Sequence, residues 1–303
     1  MYYRLSSNSA QVDEGEQGSM KKMTRRDFLK LSGMTFLTSL GGLGYSTLVE
    51  PGWVDVVQVT LKLPHLAPVF SGFRLVQISD IHMGGWMNRE RLQYVLREVL
   101  AQAPHLVVVT GDFVIGHNWN KSLQACLDGM VEEFSLLTEK HTTLAVLGNH
   151  DYWTNASAVR DALKACSIVN LSNDVYTLSN DREQLHFAGV DDIWEKQDRL
   201  DTVLEKLPQT GAAILMAHEP DFADQSAETG CFDLQLSGHS HGGQVVFPII
   251  GAPILPYLGR KYPSGLYQVG TMWQYTNRGV GMARLELRMN CRPEITVFTL
   301  ESV

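Results

Sequence analysis

An α/β layered fold is predicted by three observations on this sequence of 303 residues. Short, wholly apolar runs alternate with amphipathic stretches of helical spacing, the pattern of strands covered by helices. Five of the runs end in Asp, Asn or His. Ligands of open α/β sheets collect at the carboxyl ends of strands, so the same pattern predicts a site along with the fold.

Taken in order, residues 73–78, 106–109, 144–147, 212–216 and 234–236 read as short buried strands. They deliver Asp80-Ile81-His82, Gly111-Asp112, Gly148-Asn149-His150-Asp151, Ala217-His218 and Gly238-His239-Ser240-His241. Between them, residues 89–101 place Leu92, Val95, Leu96, Val99 and Leu100 on one helical face, with Arg91, Arg97 and Glu98 opposite. Similar stretches run over 122–137, 157–165 and 199–207, the last stopped by Pro208. Residues 265–269, 271–276, 283–289 and 294–301 are expected to be strands that complete a second sheet, with 290–293 a hairpin loop.

Ahead of these elements, Thr24-Arg25-Arg26-Asp27-Phe28-Leu29-Lys30 precedes an apolar stretch, 31–49, diluted by Gly, Ser and Thr. This resembles a twin-arginine export signal. No Ala-x-Ala cleavage site follows it, so it is expected to be either a twin-arginine signal or a retained N-terminal anchor, although glycines at 41, 42 and 44 make it a poor spanning helix; no Cys ends it, which argues against lipidation. The acidic, Ser-rich residues 2–19 fit translation from Met20 or Met23 better than from Met1. Residues 1–49 are therefore expected to be a leader and 50–303 one catalytic domain.

A net charge of −8 without a basic stripe outside the leader argues against a nucleic-acid partner, because phosphate backbones are held by clustered Lys and Arg. Cys126, Cys166, Cys231 and Cys291 form no C-x-x-C pair, which sets aside zinc ribbons and thioredoxin motifs and leaves buried thiols or one disulfide.

The residue types at the strand ends suit two metal ions. Asp80 and His82, one residue apart on an extended segment, can chelate one ion together. Asp112 is placed to bridge two ions, Asn149 offers an amide oxygen, His218 and His239 offer imidazoles, and His241 can turn back to the first ion across Ser240. Mixed nitrogen and oxygen donors favour Mn, Fe, Zn or Ni over Ca or Mg.

These five segments in this order resemble the calcineurin-like metallophosphoesterases, over roughly residues 50 to 303. The resemblance implies a sandwich of two mixed β-sheets flanked by helices, with a dinuclear centre at one end. The first ion would then be held by Asp80, His82, Asp112 and His241, and the second by Asp112, Asn149, His218 and His239. Ions about 3.5–4 Å apart would hold a bridging hydroxide that attacks phosphorus in line. By the same resemblance His150 would protonate the leaving alkoxide or contact a phosphoryl oxygen, and Asp151 would orient His150 or a ligand. With the leader, Glu50-Pro51-Gly52-Trp53, Gly242-Gly243-Gln244, Arg278-Gly279-Val280-Gly281 and Asn290-Cys291-Arg292-Pro293-Glu294, the resemblance narrows to the bacterial YaeI/YkuE branch of exported phosphodiesterases. Relatives that act on phosphoproteins carry Asp-Arg-Gly after the second motif; here Phe113 to Gly116 follow Asp112, which favours a diesterase that needs less of a phosphate clamp.

The expected function is a metal-dependent phosphodiesterase using two divalent ions (Mn, Zn or Fe) at the outer face of a bacterial cytoplasmic membrane or in the periplasm or cell wall. Its expected partners are a small or lipid-linked phosphodiester and the twin-arginine export machinery, with membrane contact. One rival is a UDP-2,3-diacylglucosamine-type pyrophosphohydrolase of lipid A metabolism; the non-enzyme rival is a metal-binding envelope scaffold. Among other candidates, His117 is expected to overhang the site, whereas His65, His105, His141 and His186 read as ordinary histidines. Asn173 and Asp191-Asp192 read as turn formers or site neighbours, and Arg278 as a phosphate contact or a salt bridge. The apolar, Pro-broken stretch 245–262 is expected either to rim the cleft for a lipid-like substrate or to pack on its own core.

Overall fold

The computed structural model describes residues 23–116, 120–283 and 285–303. The expectations placed on residues 2–19, on Met20 and on His117 lie outside the described residues. The chain divides into two compact units, residues 1–43 and 44–303.

The first unit holds the helix α1 (Arg25–Gly44) up to Leu43. Thr24 caps its start: the Asp27 amide donates to Thr24 Oγ1 (3.2 Å) and that hydroxyl donates to Asp27 Oδ2 (2.7 Å). None of its residues is buried, and Phe28, Leu29, Met34, Phe36 and Leu37 face solvent. No helix among the described residues is long and apolar enough to cross a membrane.

The second unit starts at Gly44, ahead of the expected boundary at Glu50, and both Ser46 and Glu50 are buried in it. Its first half runs β1 (Asp55–Leu63), β2 (Phe73–Ile78), α2 (Arg89–Ala101), β3 (Leu106–Thr110), α3 (Lys121–Thr138), β4 (Thr143–Val146), α4 (Asn149–Thr154), α5 (Ala156–Ala165) and β5 (Val169–Asn170). Its second half runs β6 (Asp174–Asn180), β7 (Glu183–Gly189), α6 (Leu200–Lys206), β8 (Ala212–Met216), α7 (Ala223–Glu228), β9 (Leu234–Ser237), β10 (Gly265–Val269), β11 (Met272–Thr276) and β12 (Glu294–Ser302).

Two mixed six-stranded sheets result, ordered β1-β12-β2-β3-β4-β5 and β10-β11-β9-β8-β7-β6. Side-chain alternation assigns each strand two jobs. Leu75, Val108, Leu144 and Val146 of the first sheet meet Phe187, Ile214, Met216, Leu234 and Leu236 of the second in the inner core. Val76, Ile78, Val107, Val109 and Ala145 pack outward against α2, α3 and α5, while Ala188, Ala213 and Leu215 pack outward against α6 and the residues around α7. Both faces of β3, β4 and β8 are thus covered, which is why they read as unbroken apolar runs. Gln77 crosses the inner core, its amide donating to Thr110 Oγ1 (3.0 Å) and to the Ser237 carbonyl of the opposite sheet (2.9 Å).

The C-terminal expectations need correction. Residues 283–289 form no strand: the described part is irregular, with a single bridge between Met289 and Val245. Accordingly 290–293 is no hairpin, and β12 leaves the second sheet for the first, parallel to β1 and antiparallel to β2. Fully buried Arg288 explains the irregularity. Its guanidinium donates to the carbonyls of Cys291 (2.9 Å), Arg278 (2.9 Å), Gly279 (3.1 Å) and Gly281 (2.7 Å), so the chain wraps around it rather than pairing in a ladder.

Candidate metal centre

The five predicted segments converge where the carboxyl ends of β2, β3 and β4 face those of β8 and β9. The loops after β2 and β3 stay paired beyond their strands, the Asp80 amide donating to Gly111 O (3.0 Å) and the His82 amide to Asp112 O (3.0 Å). Asp80, His82, Asp112, His239 and His241 all have positive φ, between 51° and 69°. That conformation is uncommon for residues with a Cβ and clusters at functional sites. It turns these side chains out of the strand alternation and toward one point.

Two glycines make the convergence sterically possible. A Cβ on Gly148 would lie 2.4 Å from Asp112 Oδ1 and 2.7 Å from the His218 ring, and one on Gly238 would lie 2.4 Å from Asp80 Oδ2. The backbones also bind the carboxylates: the His150 amide donates to Asp112 Oδ1 (2.9 Å), and the His239 amide, from the other sheet, donates to Asp80 (3.0 Å to Oδ2).

Three groups of donors lie within ligand reach of one another: Asp80, His82 and His241; Asp112, His218 and His239; and His82, Asp112 and His150. The Nε2 atoms of His82 and His241 approach to 3.0 Å, with Asp80 Oδ1 3.3 Å from the latter. Asp112 Oδ2 stands 3.2 Å from His218 Nε2 and 3.6 Å from His82 Nε2, between the two halves of the cluster. His218 Nδ1 donates to Thr110 O (2.6 Å) and His239 Nε2 to Tyr257 O (2.8 Å), which orients both rings and leaves the second nitrogen of each for a ligand role. Asn149 Oδ1 is buried with no hydrogen-bond partner among the described residues. A buried amide oxygen beside converging imidazoles and carboxylates is costly unless a cation accepts its lone pair, so the donor set fits divalent ions.

The electrostatics agree. Burial, then the neighbouring His150, pushes the His82 imidazole down to about 3, and burial with His82 holds His241 well below the ordinary range, so both rings are neutral donors. Burial and the Asp112 charge raise Asp80 to about 7. Burial would also raise Asp112, but His218 and His150 outweigh it and hold that carboxyl well below the usual range. His218 rises in turn: Asp112 and Asp80 overcome the burial that would lower it. Without a cation the cluster keeps its carboxylates together by holding protons.

Asp151 is fully buried and accepts three backbone hydrogen bonds, from Phe113 (2.8 Å), Val114 (3.2 Å) and Gly148 (3.0 Å). It ties the loop carrying Asp112 to the turn carrying Asn149, so it acts on the ligand loops.

The remaining sequence candidates separate clearly. Arg278 is held by Glu294 and by Asp55 (3.0 Å), which makes it a structural ion pair. Asn173 Oδ1 accepts from the Asp191 (3.1 Å) and Arg199 (2.8 Å) amides as a loop clamp, and Asp191 binds Tyr152 and Arg160. His65 pairs with Asp233, His105 accepts from the Arg74 amide, and His186 bridges Thr177 and Thr210. All four cysteines are free, Cys166 and Cys291 buried.

Sequence reasoning placed Asp191-Asp192 as turn formers or site neighbours but missed Glu219 behind His218. Buried Glu219 accepts from the Ile193 and Trp194 amides (3.3 Å each), and Asp192 lies beside it with its carboxyl pushed up to about 10 by burial and by Glu219. This pins Trp194 against His239 (5.5 Å between ring centroids) and against Trp153 (5.2 Å), which in turn meets His150 (4.9 Å). The adjacency of Glu219 to His218 was the available signal. These aromatics, the donors Asp112, Asn149, His239 and His241, and loop residues Val245, Pro253–Tyr257 and Arg260 line one cleft of about 610 Å³.

Two facing mixed sheets that gather buried Asp, Asn and His at their strand ends define a metal-binding hydrolase of the phosphoesterase class. The family model of the calcineurin-like phosphoesterases matches residues 73–243, and the chain belongs to that family. It is 36% identical to the metallophosphoesterase YkuE of Bacillus subtilis over 291 residues, 93% of this chain and 99% of that one. It is 30% identical to phosphodiesterase YaeI of Escherichia coli over 284 residues, 92% and 99% of the two chains. Among solved structures, the NAD nucleotidase NadN of Haemophilus influenzae aligns with a TM-score of 0.44 at 14% identity, covering 69% of this chain and 45% of that one.

Proposed function

We propose that the chain is a phosphodiesterase working with two divalent ions, exported by the twin-arginine route to the outer face of a bacterial cytoplasmic membrane. The observation that carries the reading is the shared carboxylate: Asp112 lies between Asp80, His82 and His241 on one side and His218 and His239 on the other. Asp80, His82, Asp112 and His241 would hold one ion, and Asp112, Asn149, His218 and His239 the other. When bound, such ions supply Lewis acidity toward the phosphoryl oxygens and a water nucleophile at neutral pH.

The chain's own residues do the rest. His150 lines the cleft within ligand reach of His82 and Asp112, with its ring edge-on to His82 (4.7 Å) and packed on Trp153. It is therefore placed to hold a phosphoryl oxygen and give a proton to the leaving alkoxide. Asp151 keeps the two ligand loops in register. Trp153, Trp194 and Tyr257 wall one side of the cleft. The phosphodiesterase YaeI supports diesters over monoesters, as does the run Phe113 to Gly116 in place of an arginine clamp. Export rests on Arg25-Arg26 and on the exposed apolar side chains of α1.

The test is hydrolysis of an aryl phosphodiester and its monoester by chelator-stripped protein reloaded with Mn or Zn. Metal-dependent diester turnover that falls roughly 100-fold or more in His150→Ala, the scale of general acid catalysis, is expected. No turnover of either ester at full metal loading overturns the reading.

A further inference from the structure

Beside the cleft, residues 245–258 form a projecting loop without a charged side chain. A two-way bridge between Phe247 and Gly251 (3.0 and 2.9 Å) closes a tip of Pro248, Ile249 and Ile250. Ile249 is fully exposed, and Ile250 and Ile254 are 78% and 72% exposed. Ile249 also has φ 72°, a conformation that β-branched residues avoid. A strained turn that presents isoleucine to water is poorly explained by packing, because the tip packs on nothing.

We infer that this loop inserts into a phospholipid bilayer and seats the metal cleft on the lipid headgroups, so that the enzyme acts on membrane-embedded phosphodiesters. This rests on the phosphodiesterase reading above. Continuity with the site is the first argument. Val245, Ile254, Leu255, Pro256 and Tyr257 of the same loop line the cleft that holds Asp112, His150 and His239, so the loop that carries the tip also walls the site. Charge complementarity is the second: Arg260 at the loop's base lines the cleft and makes no ion pair among the described residues, leaving its fork for a headgroup phosphate. Tyr257, 57% exposed between the tip and Arg260, is the amphipathic type found at membrane interfaces.

A bilayer fits better than a protein partner. Protein interfaces ask for a broad patch with a polar rim and matched shape, whereas this element is a narrow convex tip with no polar side chain. Hydrocarbon demands only apolar area. With a net charge of −8, the chain gains nothing from long-range attraction to anionic lipid, so the insertion of the tip must carry the contact. At the cleft, the oxygen of water forms the new P–O bond, the bond to the lipid alcohol breaks, and that oxygen takes up a proton, leaving a phosphomonoester.

The experiment uses the full, metal-loaded chain. Cys231→Ser removes the exposed thiol, and Ile249→Cys then carries an environment-sensitive fluorophore at the tip. Vesicles of phosphatidylcholine and phosphatidylglycerol should shift its emission to the blue. In parallel, Ile249→Ser with Ile250→Ser should lower turnover of a vesicle-embedded fluorogenic phosphodiester roughly tenfold or more, with soluble aryl diester turnover unchanged. A fluorophore that vesicles leave unmoved overturns the inference, as does a blue shift that follows protein concentration without lipid, the mark of a second copy on the tip. Absence of soluble diester turnover in the unsubstituted chain would instead sink the phosphodiesterase reading, while the tip fluorophore still reports docking by itself.

Discussion

Gly148 shows how much of the site is decided by single atoms. Its missing Cβ is the space in which Asp112 Oδ1 and the His218 ring sit. Gly148→Ala places a methyl 2.4 Å from that oxygen, with the neighbouring backbone held by Asp151, so the carboxylate has to move. A displacement of about 1 Å at a reacting centre costs on the order of 100-fold in rate. Gly148→Ala is therefore expected to keep the fold, to bind metal more weakly and to lose about that factor in diester turnover; wild-type metal stoichiometry and turnover in this variant would show that Asp112 is not the shared ligand. Asp151 acts at the same scale. Its three backbone bonds fix the loops on which Asp112 and Asn149 ride, a role that spacing could not distinguish from orienting His150, because both readings need only a buried carboxylate next to the site.

At the scale of elements, what could be read in advance was what burial writes into sequence. Strands β2, β3, β4, β8 and β9 are covered on both faces and so read as apolar runs, and α2 carries its apolar face at helical spacing. The ligand segments were legible because each stands directly after such a strand. Residues 283–289 failed for the opposite reason. Their alternation of apolar and charged residues mimics a half-buried strand, yet Arg288 is the buried member and satisfies four carbonyls, among them those of Gly279 and Gly281. Sequence pattern ranks arginine as exposed; a carbonyl cage for its fork is visible only in three dimensions. The cage also reaches the site, since Gly281 N donates to Asp80 O (2.8 Å) and Val280 N to Ser79 O (2.9 Å). Arg288→Met should destabilise the protein by about 1–3 kcal/mol per carbonyl left dry, tempered by relaxation of the loop, and weaken metal binding at the Asp80 side. Denaturation midpoints with and without metal would check it; a variant as stable as wild type would mean that the loop 278–281 holds itself.

For the molecule as a whole, the donors come from both sheets: Asp80, His82, Asp112 and Asn149 from one, His218, His239 and His241 from the other. Ions bound there tie the halves of the sandwich together, and their binding free energy adds to folding. At free metal about 100 times the dissociation constant this is about 2.7 kcal/mol, or a melting shift of roughly 5–10 °C for a domain of this size. The shift should depend on pH, and its sign follows from the protons the cluster holds without metal. Asp80 and Asp151, both raised to about 7, bind protons in the folded metal-free protein that the unfolded chain has already lost, so they reduce its stability as pH rises from about 4 to 7. His218, raised above its ordinary value, stabilises the metal-free fold below the unfolded pKa and loses that contribution as pH climbs through the folded one. Metal loading runs the other way, since Asp80 and His218 must release their protons to become ligands, and apparent affinity grows as pH rises. The gap in melting temperature between metal-loaded and chelator-treated protein should therefore widen from about pH 6 to pH 8, with protons released on loading that calorimetry in buffers of different ionisation enthalpy would count. A gap that is constant or narrows over that range would mean that the donors are already deprotonated in the metal-free fold, and that Asp80 and His218 do not share the proton economy that their burial imposes.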